Sequence, residues 1–486
     1  MKKAFLLLLL SAAAQAQSPS GLEPQLSDFT NKKHLSVVFA SHNIKKPGSM
    51  FGHVFIVAHD EDFPEPDATT LEFLGTAEST GGYAMALFTG IPGRYFLKSF
   101  FEKRKAYDLE DRDLWIYPYT GDADDRRAVL KTVAELLNDR QATYNFFRSN
   151  CSTAAYQALT KKKSHLPYAL PVSTLAWLQS EDLIGPPVLY PSSLRRALAS
   201  LDELDPVQQV EVTQALAGAK PDNQALPARS AGAANLALNY LLPREAEPQV
   251  RGRLFMLKKQ IVTSERLEPG LQAPPSPDLG SFGEALTLAK GANNYAVEFH
   301  PAQRDFFTSS RDGHETALLE LLKIRLEFID SSFKVSDLTL FRLDSHLGST
   351  PYSHSFNRLI EVGYVDWAKQ RVERFGEIYG HVGWGYSVRF GPLTLGATPL
   401  VGVTHGLGLR PYGFDLGARA LANLWLGSRF ALQGSFKRRW NVDARVARDW
   451  EGAAILILNS NFRLGFAFSH PSKDFENTEV RAIITF

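Results

Sequence analysis

A period-two alternation of apolar and polar residues runs from about Gly280 to the end of the chain, and it restricts the possible folds more than any other feature. In "LKIRLEF", residues 322–328, and in "FRLGFAF", residues 462–468, every second residue is Leu, Ile or Phe. The residues between them are charged or small. Side chains alternate between the two faces of a β-strand, so each such segment predicts a strand with one apolar face.

We count about ten to twelve such strands, which is the pattern of a transmembrane antiparallel β-barrel with apolar residues outside. The last segment, "EVRAIITF", alternates in the same way and ends at Phe486. A terminal aromatic residue on such a strand resembles the signal by which outer-membrane barrels are recognised for assembly. The alternative is a soluble β-sandwich, in which the same alternation points apolar residues into a core.

The first residues, "MKKAFLLLLLSAAAQAQ", predict a secretory signal peptide over residues 1–16. Two lysines precede a short apolar run, and Ala14-Gln15-Ala16 is a small-x-small cleavage site. The run is shorter than the roughly 20 apolar residues of a membrane-spanning helix. No cysteine lies at the cleavage site, so the sequence does not predict a lipoprotein. We therefore expect the mature chain in an oxidising compartment.

Changes in sequence texture predict three regions after the signal peptide. Residues 30–165 mix strand-like runs with helical stretches, an α+β pattern. Residues 166–279 read as a helical segment that ends in the Pro-rich linker "EPGLQAPPSPDLGS", and residues 280–486 form the barrel. Lys and Arg total 53 against 52 Asp and Glu, so no basic excess indicates nucleic-acid binding.

Cys151 is the only cysteine of the chain. Asn150 before it is a good N-cap, which places Cys151 in the first turn of a helix. A helix N-terminus favours the thiolate, so this position predicts a lowered thiol pKa and a nucleophilic sulfur. The alternative is an incidental buried cysteine.

A nucleophilic thiol needs a base, and His53 is the best candidate. It follows the approach "KPGSMFG" and begins the apolar strand "HVFIVA". A histidine at the edge of a buried strand can face the start of a helix packed against it, which is the Cys-His arrangement of papain-like enzymes. His34, His42 and His59 are the other upstream histidines, and a structural role in the core is the alternative for His53.

Four segments together resemble the Lnb-type N-terminal periplasmic domain over about residues 35–160: "ASHNIKKPGSMFGHVFIV", "GIPGRYF", "LEDRDLWIYPY" and "YNFFRSNCST". The resemblance implies a permuted papain-like (NlpC/P60-like) fold and a catalytic pair formed by His53 and Cys151. It also implies chemistry in which the cysteine takes an acyl chain from a phospholipid as a thioester and passes it to an acceptor such as a lipoprotein. With a barrel behind it, the domain is expected in the periplasm, anchored at the outer membrane.

Four further residues are weaker candidates for supporting roles: Glu72 to orient the imidazole, Asn150 to donate to an oxyanion, and His42 and Ser49 to line the pocket. Each also has an ordinary structural explanation, namely a solvent-facing strand residue, a helix cap and two turn residues. No residues are assigned to substrate binding.

Other motif positions are expected to be structural or shielding. Arg94, Arg112 and Asp113 predict ion pairing, and Tyr83 or Phe147, with the loop "GSMFG", is expected to shield the thiol. His42, His53 and Cys151 lack a close ligand pair of the usual zinc spacing, so we expect neither a metal nor another cofactor.

Three functions stay open on this evidence. The first is a thiol-dependent acyltransferase or lipid acyl hydrolase anchored at the outer membrane, with phospholipid and lipoprotein as partners. The second is a papain-like amidase or peptidase that acts on cell-wall peptides and needs a polar groove. The third is a non-catalytic barrel, a pore or binding protein, with an inactive first domain.

Overall fold

The computed structural model of the chain divides into two compact units, Met1–Ser276 and Pro277–Phe486. It describes residues 26–43, 49, 51–75, 89–160, 169–218, 226–261, 282–291, 295–304, 315–329, 332–347, 352, 356–369, 373–390, 393–407, 412–426, 430–441, 446–458, 462–472 and 475–485. The predicted signal peptide, Tyr83, the Pro-rich linker and Phe486 lie outside these ranges, as do Gly48 and Met50 of the "GSMFG" loop.

The first unit contains a seven-stranded antiparallel sheet with the order β6-β4-β3-β2-β1-β5-β7. Its strands are β1 (His34–Ala40), β2 (His53–His59), β3 (Thr69–Gly75), β4 (Ile91–Ser99), β5 (Leu114–Pro118), β6 (Thr143–Tyr144) and β7 (Val188–Tyr190). Strands and helices are mixed along this part of the chain, which confirms the α+β class predicted for it.

The centre of the sheet is buried on both faces. Strands β1 and β2 read "HLSVVFA" and "HVFIVAH", and nearly every residue in them is buried. Such continuous apolar runs are typical of strands covered on both sides. The register pairs Ala40 with His53, so the first residue of β2 lies beside the last residue of β1. On one face, Val38 and Phe55 belong to a core cluster with Phe100 and Tyr107.

Nine described helices accompany the sheet: α1 (Leu26–Thr30), α2 (Phe100–Leu109), α3 (Ala123–Leu137), α4 (Cys151–Thr160), α5 (Pro171–Ser180), α6 (Ser193–Asp202), α7 (Pro206–Ala217), α8 (Ala228–Leu241) and α9 (Pro248–Gln260). Side-chain caps fix several starts: Ser99 accepts from Glu102 N, and Asp122 accepts from the backbone N–H of Asp124 and Asp125. None of the helices in the described ranges combines the length and apolar character needed to cross a membrane.

The segment after residue 165 is part of the same unit as the sheet. Strand β7 pairs with β5, with Val188 opposite Ile116. Asp113, at the start of β5, accepts a 2.8 Å hydrogen bond from the backbone N–H of Ser192 and a 2.6 Å bond from Arg195 Nε. The sheet therefore continues into residues that the sequence placed in a separate helical segment, because an edge strand of three residues carries too little pattern to be recognised.

The second unit is a closed barrel of twelve antiparallel strands in chain order, with β8 pairing β19 at the closure. The strands are β8 (Phe282–Gly291), β9 (Tyr295–Arg304), β10 (Glu315–Ile329), β11 (Ser332–Leu347), β12 (Asn357–Lys369), β13 (Glu373–Phe390), β14 (Leu393–Leu407), β15 (Tyr412–Leu426), β16 (Phe430–Asn441), β17 (Val446–Ile457), β18 (Phe462–Ser472) and β19 (Phe475–Thr485). Closure leaves no free sheet edge, and the barrel prediction is confirmed.

The two faces of the barrel wall have the predicted chemistry. On β9, Tyr295, Val297 and Phe299 are exposed on the outside, whereas Glu298 and His300 are buried inside. The alternation breaks in β10, where Leu322 has a positive φ of 57°. An ion pair at 3.9 Å joins Lys323 to Glu320, three positions earlier, so both lie on the inner face and the regular alternation of "LKIRLEFID" does not extend upstream.

Ion pairs cross the barrel interior between strands that are not neighbours. Arg419 of β15 pairs with Asp344 of β11, and Lys437 of β16 pairs with Glu361 of β12. The ring of His381 lies between two carboxylates, with Nδ1 2.9 Å from Glu361 and Nε2 2.9 Å from Asp415. The side chains of Asp344 and Arg419 are 1% and 2% exposed, so water does not fill the lumen at this level.

Candidate active site

The start of helix α4 is fixed by its cap. Asn150 Oδ1 accepts from the backbone N–H of Ser152 at 2.8 Å and of Thr153 at 3.2 Å. In return, Thr153 Oγ1 accepts from the backbone N–H of Asn150 at 2.8 Å. These bonds satisfy donors that a helix start otherwise leaves without partners. They confirm Asn150 as the N-cap and make Cys151 the first residue of the helix.

The side-chain amide of Asn150 is fully used by the fold. Its Nδ2 donates to the carbonyl oxygens of Phe146 and Ala169, each at 2.7 Å. An amide nitrogen has two hydrogens, so neither remains for an oxyanion. The expectation that Asn150 donates to an oxyanion does not fit this geometry, and its role is to hold the loop and the helix start together.

The Cys151 thiol faces the beginning of strand β2. Its sulfur is hydrogen-bonded by the backbone of Val54, the residue after His53, and by the backbone of Ser152. Ser152 Oγ is 3.9 Å from Sγ. The side chain is buried, with 7% of its surface exposed. The start of α4 and the start of β2 therefore meet at the thiol.

His53 is held neutral in an apolar, positively charged setting. Burial lowers the pKa of its imidazole well below the usual 6.5, and the positive charges of Lys103 and Arg112 lower it further. Its ring packs near those of Phe55 and Tyr107, with centroid distances of 6.0 and 6.3 Å. Its Nε2 is buried without a hydrogen-bond partner among the described residues. A neutral imidazole with a free nitrogen can accept a proton.

The resting sulfur is a thiol, which corrects the prediction of a lowered pKa. Burial raises the pKa of Cys151 above 9.0. The hydrogen bonds from Val54 and Ser152 and the charge of Arg112 act in the opposite direction but do not outweigh burial. The helix start alone predicts a lower pKa because its dipole favours the anion, yet desolvation of a buried anion is the larger effect here.

Glu72 is paired with a lysine that the sequence did not single out. Its side chain is wholly buried on β3 and forms an ion pair with Lys103 Nζ from α2. Lys103 Nζ also lies 5.2 Å from the centre of the Tyr107 ring. The charge of Lys103 acts on His53, so the structure connects Glu72 to the histidine through this lysine. No motif marked Lys103, because a lone lysine on a helix is usually a surface residue.

Arg112 and Asp113 are buried at the end of β1, but they have different partners. Arg112 donates to the carbonyls of Ala40, at 3.0 Å, and of Ser41, and its NH1 lies 3.3 Å from Glu110. Asp113 pairs with Arg195 as described above. Arg94 is exposed on β4, with its guanidinium 5.4 Å from the centre of the Phe96 ring. The expected ion pairing thus involves Glu110 and Arg195.

Ser49 has a structural position in the turn before β2. Its carbonyl accepts from the backbone N–H of Asn43 at 2.8 Å and of Gly52 at 3.1 Å. Gly52 has a φ of +89°, and a Cβ there would strike the ring of Phe39. His42 is half-buried just before this turn. The turn therefore fixes the backbone just before His53.

Aromatic rings connect the two segments that carry the pair. Phe51 lies two residues before His53 and is buried, and its ring meets that of Phe146 edge to face at 5.9 Å. Phe146 in turn contacts Phe147 at 5.3 Å. Aromatic packing therefore joins the segment before His53 to the segment before Cys151.

The described residues contain no group of three or more His, Cys, Asp and Glu side chains arranged to hold a metal ion. Neither His42 nor His53 joins Cys151 in such a group within those ranges. The chemistry available at this site is that of a thiol, an imidazole and the surrounding cations.

Comparison with known proteins identifies the first unit. Residues 23–181 match the family model of the Lnb N-terminal periplasmic domain, which confirms the resemblance drawn from the four sequence segments. The match extends past residue 165 and includes helix α5. No curated protein matches the chain.

Several solved structures share similarity with this chain over less than half of its length. A KdgM porin in complex with disordered oligogalacturonate is 6% identical, with a TM-score of 0.26, and the match covers 42% of this chain and 98% of that one. A NanC porin gives the same values. The outer membrane protein Omp33 of Acinetobacter baumannii is 8% identical, with a TM-score of 0.23, over 43% of this chain and 100% of that one. The chain is an outer-membrane β-barrel protein with an N-terminal periplasmic domain.

Proposed function

We propose that the N-terminal unit is a thiol-dependent acyltransferase or acyl hydrolase that acts on phospholipid, with Cys151 as nucleophile and His53 as general base. One observation carries the proposal: the thiol is hydrogen-bonded to the backbone of Val54, the residue that follows the buried, neutral His53, whose Nε2 has no hydrogen-bond partner among the described residues. A nucleophile placed next to a base that is able to take its proton is the requirement for covalent acyl chemistry.

In the first half-reaction, His53 removes the proton of the Cys151 thiol as the sulfur attacks the carbonyl carbon of an acyl ester. The bond from that carbon to the ester oxygen breaks, and the leaving alcohol takes the proton from His53. In the second half-reaction, an amine, a hydroxyl or water attacks the thioester carbonyl and gives its proton to His53. The carbon–sulfur bond then breaks, and the sulfur recovers the proton as a thiol.

The oxyanion of each half-reaction is assigned to the backbone N–H of Cys151, because the N–H groups of Ser152 and Thr153 already donate to Asn150 Oδ1. The Asn150 side chain is already occupied, whereas backbone N–H groups at a helix start carry a partial positive charge. Lys103 and Arg112 add positive charge near the same point. Fixed donors and charges in a site without water stabilise a developing negative charge strongly.

The surroundings of the site favour an acyl chain over a peptide. Tyr107 lies near the ring of His53, and Phe51, two residues before His53, packs against Phe146, five residues before Cys151. A papain-like amidase acting on cell-wall peptides would need a polar groove. The barrel links the unit covalently to a membrane protein, and acyl esters are concentrated at membranes. A lipoprotein amine is the acceptor we propose.

The test is formation of an acyl adduct on the full-length protein in phospholipid bilayers. Wild-type protein is expected to gain an acyl group that hydroxylamine releases. Cys151→Ser removes the adduct, and His53→Ala reduces it by at least as much as loss of a general base, about 10²–10⁴-fold. His59→Ala is the matched control, because His59 is buried at the far end of the same strand and bonds to Ser36 Oγ instead. It should keep the adduct.

A non-catalytic unit is the second candidate, because a buried thiol with a raised pKa is what a structural cysteine shows. The two candidates differ in the adduct. If wild-type protein never forms a thioester with any phospholipid, and Cys151→Ser leaves the cellular activity unchanged, the structural role of Cys151 is the correct one. Cleavage of peptidoglycan peptides without lipid acylation would instead establish the amidase.

A further inference from the structure

Helix α9, the last described helix before the barrel, has an unusual surface. Its sequence, "PQVRGRLFMLKKQ", contains four cations and no acidic residue, although the chain as a whole is almost neutral. Leu254 is the one buried residue of the helix. Phe255 and Met256 next to it are 50% and 55% exposed. The helix therefore exposes two large apolar side chains to solvent, surrounded by positive charges.

The cations of α9 are available to a negatively charged partner. Arg251 donates to the backbone carbonyl of Glu245, Arg253 to that of Leu216, and Lys258 to Asn239 Oδ1 at 2.6 Å. Lys259 lies over the ring of Phe255 at 4.8 Å. All these partners are uncharged groups, so within the described residues the four positive charges are not neutralised by carboxylates.

A shallow groove runs beside the exposed apolar pair. Its lining combines the apolar Leu242, Pro243, Pro248 and Phe255 with the cationic Arg251, Lys258 and Lys259, and its volume is about 770 Å³. Apolar side chains mixed with cations have the pattern of a surface that lies in a lipid interface, where acyl chains contact the apolar groups and phosphates contact the cations.

We propose that α9 and this groove dock onto the periplasmic leaflet of the membrane spanned by the chain's own barrel, through anionic phospholipid. Two features select this occupant. The charge of the helix complements an anionic headgroup layer. Residues 262–281 connect α9 directly to β8, so the helix is tethered to a protein already in that membrane, which raises its effective concentration at the surface. The proposal does not depend on the acyl chemistry.

A matched control surface exists on α7. Val207 and Val210 of α7 are also exposed, at 71% and 54%. The sequence of that helix, "PVQQVEVTQALA", contains no Lys or Arg and includes Glu211. Exposed apolar residues without neighbouring cations should remain in water. A label on α7 therefore measures the effect of apolar exposure without positive charge.

The experiment uses the full chain in the Cys151→Ser background, with Met256→Cys carrying an environment-sensitive fluorophore. The control carries the same label at Val210→Cys. Both are inserted in nanodiscs of phosphatidylcholine alone or of phosphatidylcholine with phosphatidylglycerol. We expect the label at residue 256 to shift to shorter wavelength, and to be quenched by a lipid-attached quencher, only with phosphatidylglycerol. The label at residue 210 should show neither effect.

Salt and charge variants complete the test. Lys258→Gln with Lys259→Gln should lower the equilibrium constant for lipid contact roughly 30-fold, since each cation near such a surface contributes a roughly fivefold factor. Ionic strength of about 1 M, where the Debye length is ~3 Å, should weaken contact in the same way. Equal quenching with and without phosphatidylglycerol would overturn the proposal. A wavelength shift without quenching by the lipid-attached quencher would also overturn it, because it would show that the label contacts protein and not lipid.

Discussion

Both reacting groups of the candidate site rest in their neutral forms. Burial raises the pKa of the Cys151 thiol and lowers the pKa of the His53 imidazole, so the pair does not rest as a thiolate–imidazolium ion pair. Each shift has the same physical cause, since an apolar site disfavours either charge. Proton transfer then accompanies attack on the substrate, and the resting sulfur is protected because oxidants act on the thiolate.

The lowered pKa of His53 predicts that acid destabilises the first unit. The pKa of His53 is lower in the folded protein than the value of 6.5 in the unfolded chain. The folded state is therefore most stable above pH 6.5, where His53 is neutral in both states, and it loses stability as the pH falls below 6.5. We expect up to ~1.4 kcal/mol lost per pH unit in that range. Urea-dependent proteolysis of the N-terminal unit, in full-length protein at pH 7.5 and 5.5, measures the effect.

The variant His53→Leu separates this contribution from that of His59, whose pKa burial also lowers. Stability of the variant should depend less on pH than that of the wild type, because His53 no longer contributes while His59 still titrates. An unchanged pH dependence in His53→Leu would contradict the assignment of a neutral, buried His53.

The Glu72–Lys103 pair gives a second residue-scale prediction. Lys103→Met leaves the carboxylate of Glu72 buried without its cation and should destabilise the unit by about 3–5 kcal/mol. The double variant Lys103→Met with Glu72→Leu should recover most of this loss, because no buried charge remains. Urea unfolding of the single and double variants, compared as a double-mutant cycle, measures the coupling.

The same substitution has a readout at His53. Because the charge of Lys103 lowers the pKa of His53, its removal moves that pKa up toward 6.5, and the acid-dependent loss of stability becomes smaller. A Lys103→Met protein with the full pH dependence of the wild type would show that burial alone keeps His53 neutral.

At the scale of single elements, helix α4 depends on its cap. Asn150→Ala should cost about 1 kcal/mol for the lost cap and a further ~1–3 kcal/mol for the carbonyls of Phe146 and Ala169, which lose their donor. Asn150→Ser keeps a capping oxygen and lacks the amide, so it should lose only the second part. Urea-dependent proteolysis of the two variants gives the difference.

Acyl-adduct rates of the same variants distinguish a cap from an oxyanion donor. If the amide of Asn150 acted on the oxyanion, both variants would lose about 10²–10³-fold in rate. Because Nδ2 is occupied by two carbonyls, we expect Asn150→Ser to retain much more activity than Asn150→Ala.

Sequence patterns predicted the elements with strong local signals. Helix α7 begins at the capping box of Asp205 with Gln208 and ends at the left-handed Gly218, and both are local signals. The apolar run "HVFIVA" predicted β2, and the alternation predicted the barrel wall. Strand β7, the break at Leu322 and the role of Lys103 were not predictable, because each depends on contacts between residues distant in the chain.

At the scale of the whole molecule, the buried ion pairs of the lumen predict that the barrel does not conduct as an open pore. Side chains along a water-filled channel are exposed, yet Asp344 and Arg419 are not. We expect wild-type protein to give no steady conductance in planar bilayers. Asp344→Ala with Arg419→Ala removes the cross-lumen pair without leaving a lone buried charge, and it should raise conductance.

Large conductance of the wild-type protein would contradict the closed lumen and would support the hypothesis that the barrel is a pore. Heat-modifiable mobility on gels checks that the double variant still forms a barrel, so that a failure to insert is not mistaken for a closed channel.

The ion pairs across the lumen also bear on how the barrel is assembled. Arg419 and Asp344 lie on β15 and β11, and Lys437 and Glu361 lie on β16 and β12, so each pair joins strands four positions apart. Neighbouring strands can pair as local hairpins before the barrel closes. The two ion pairs, by contrast, can form only after the sheet has closed into a barrel. Interactions formed that late are absent from the folding transition state, and their removal should speed the unfolding of the inserted barrel while its insertion rate stays nearly unchanged.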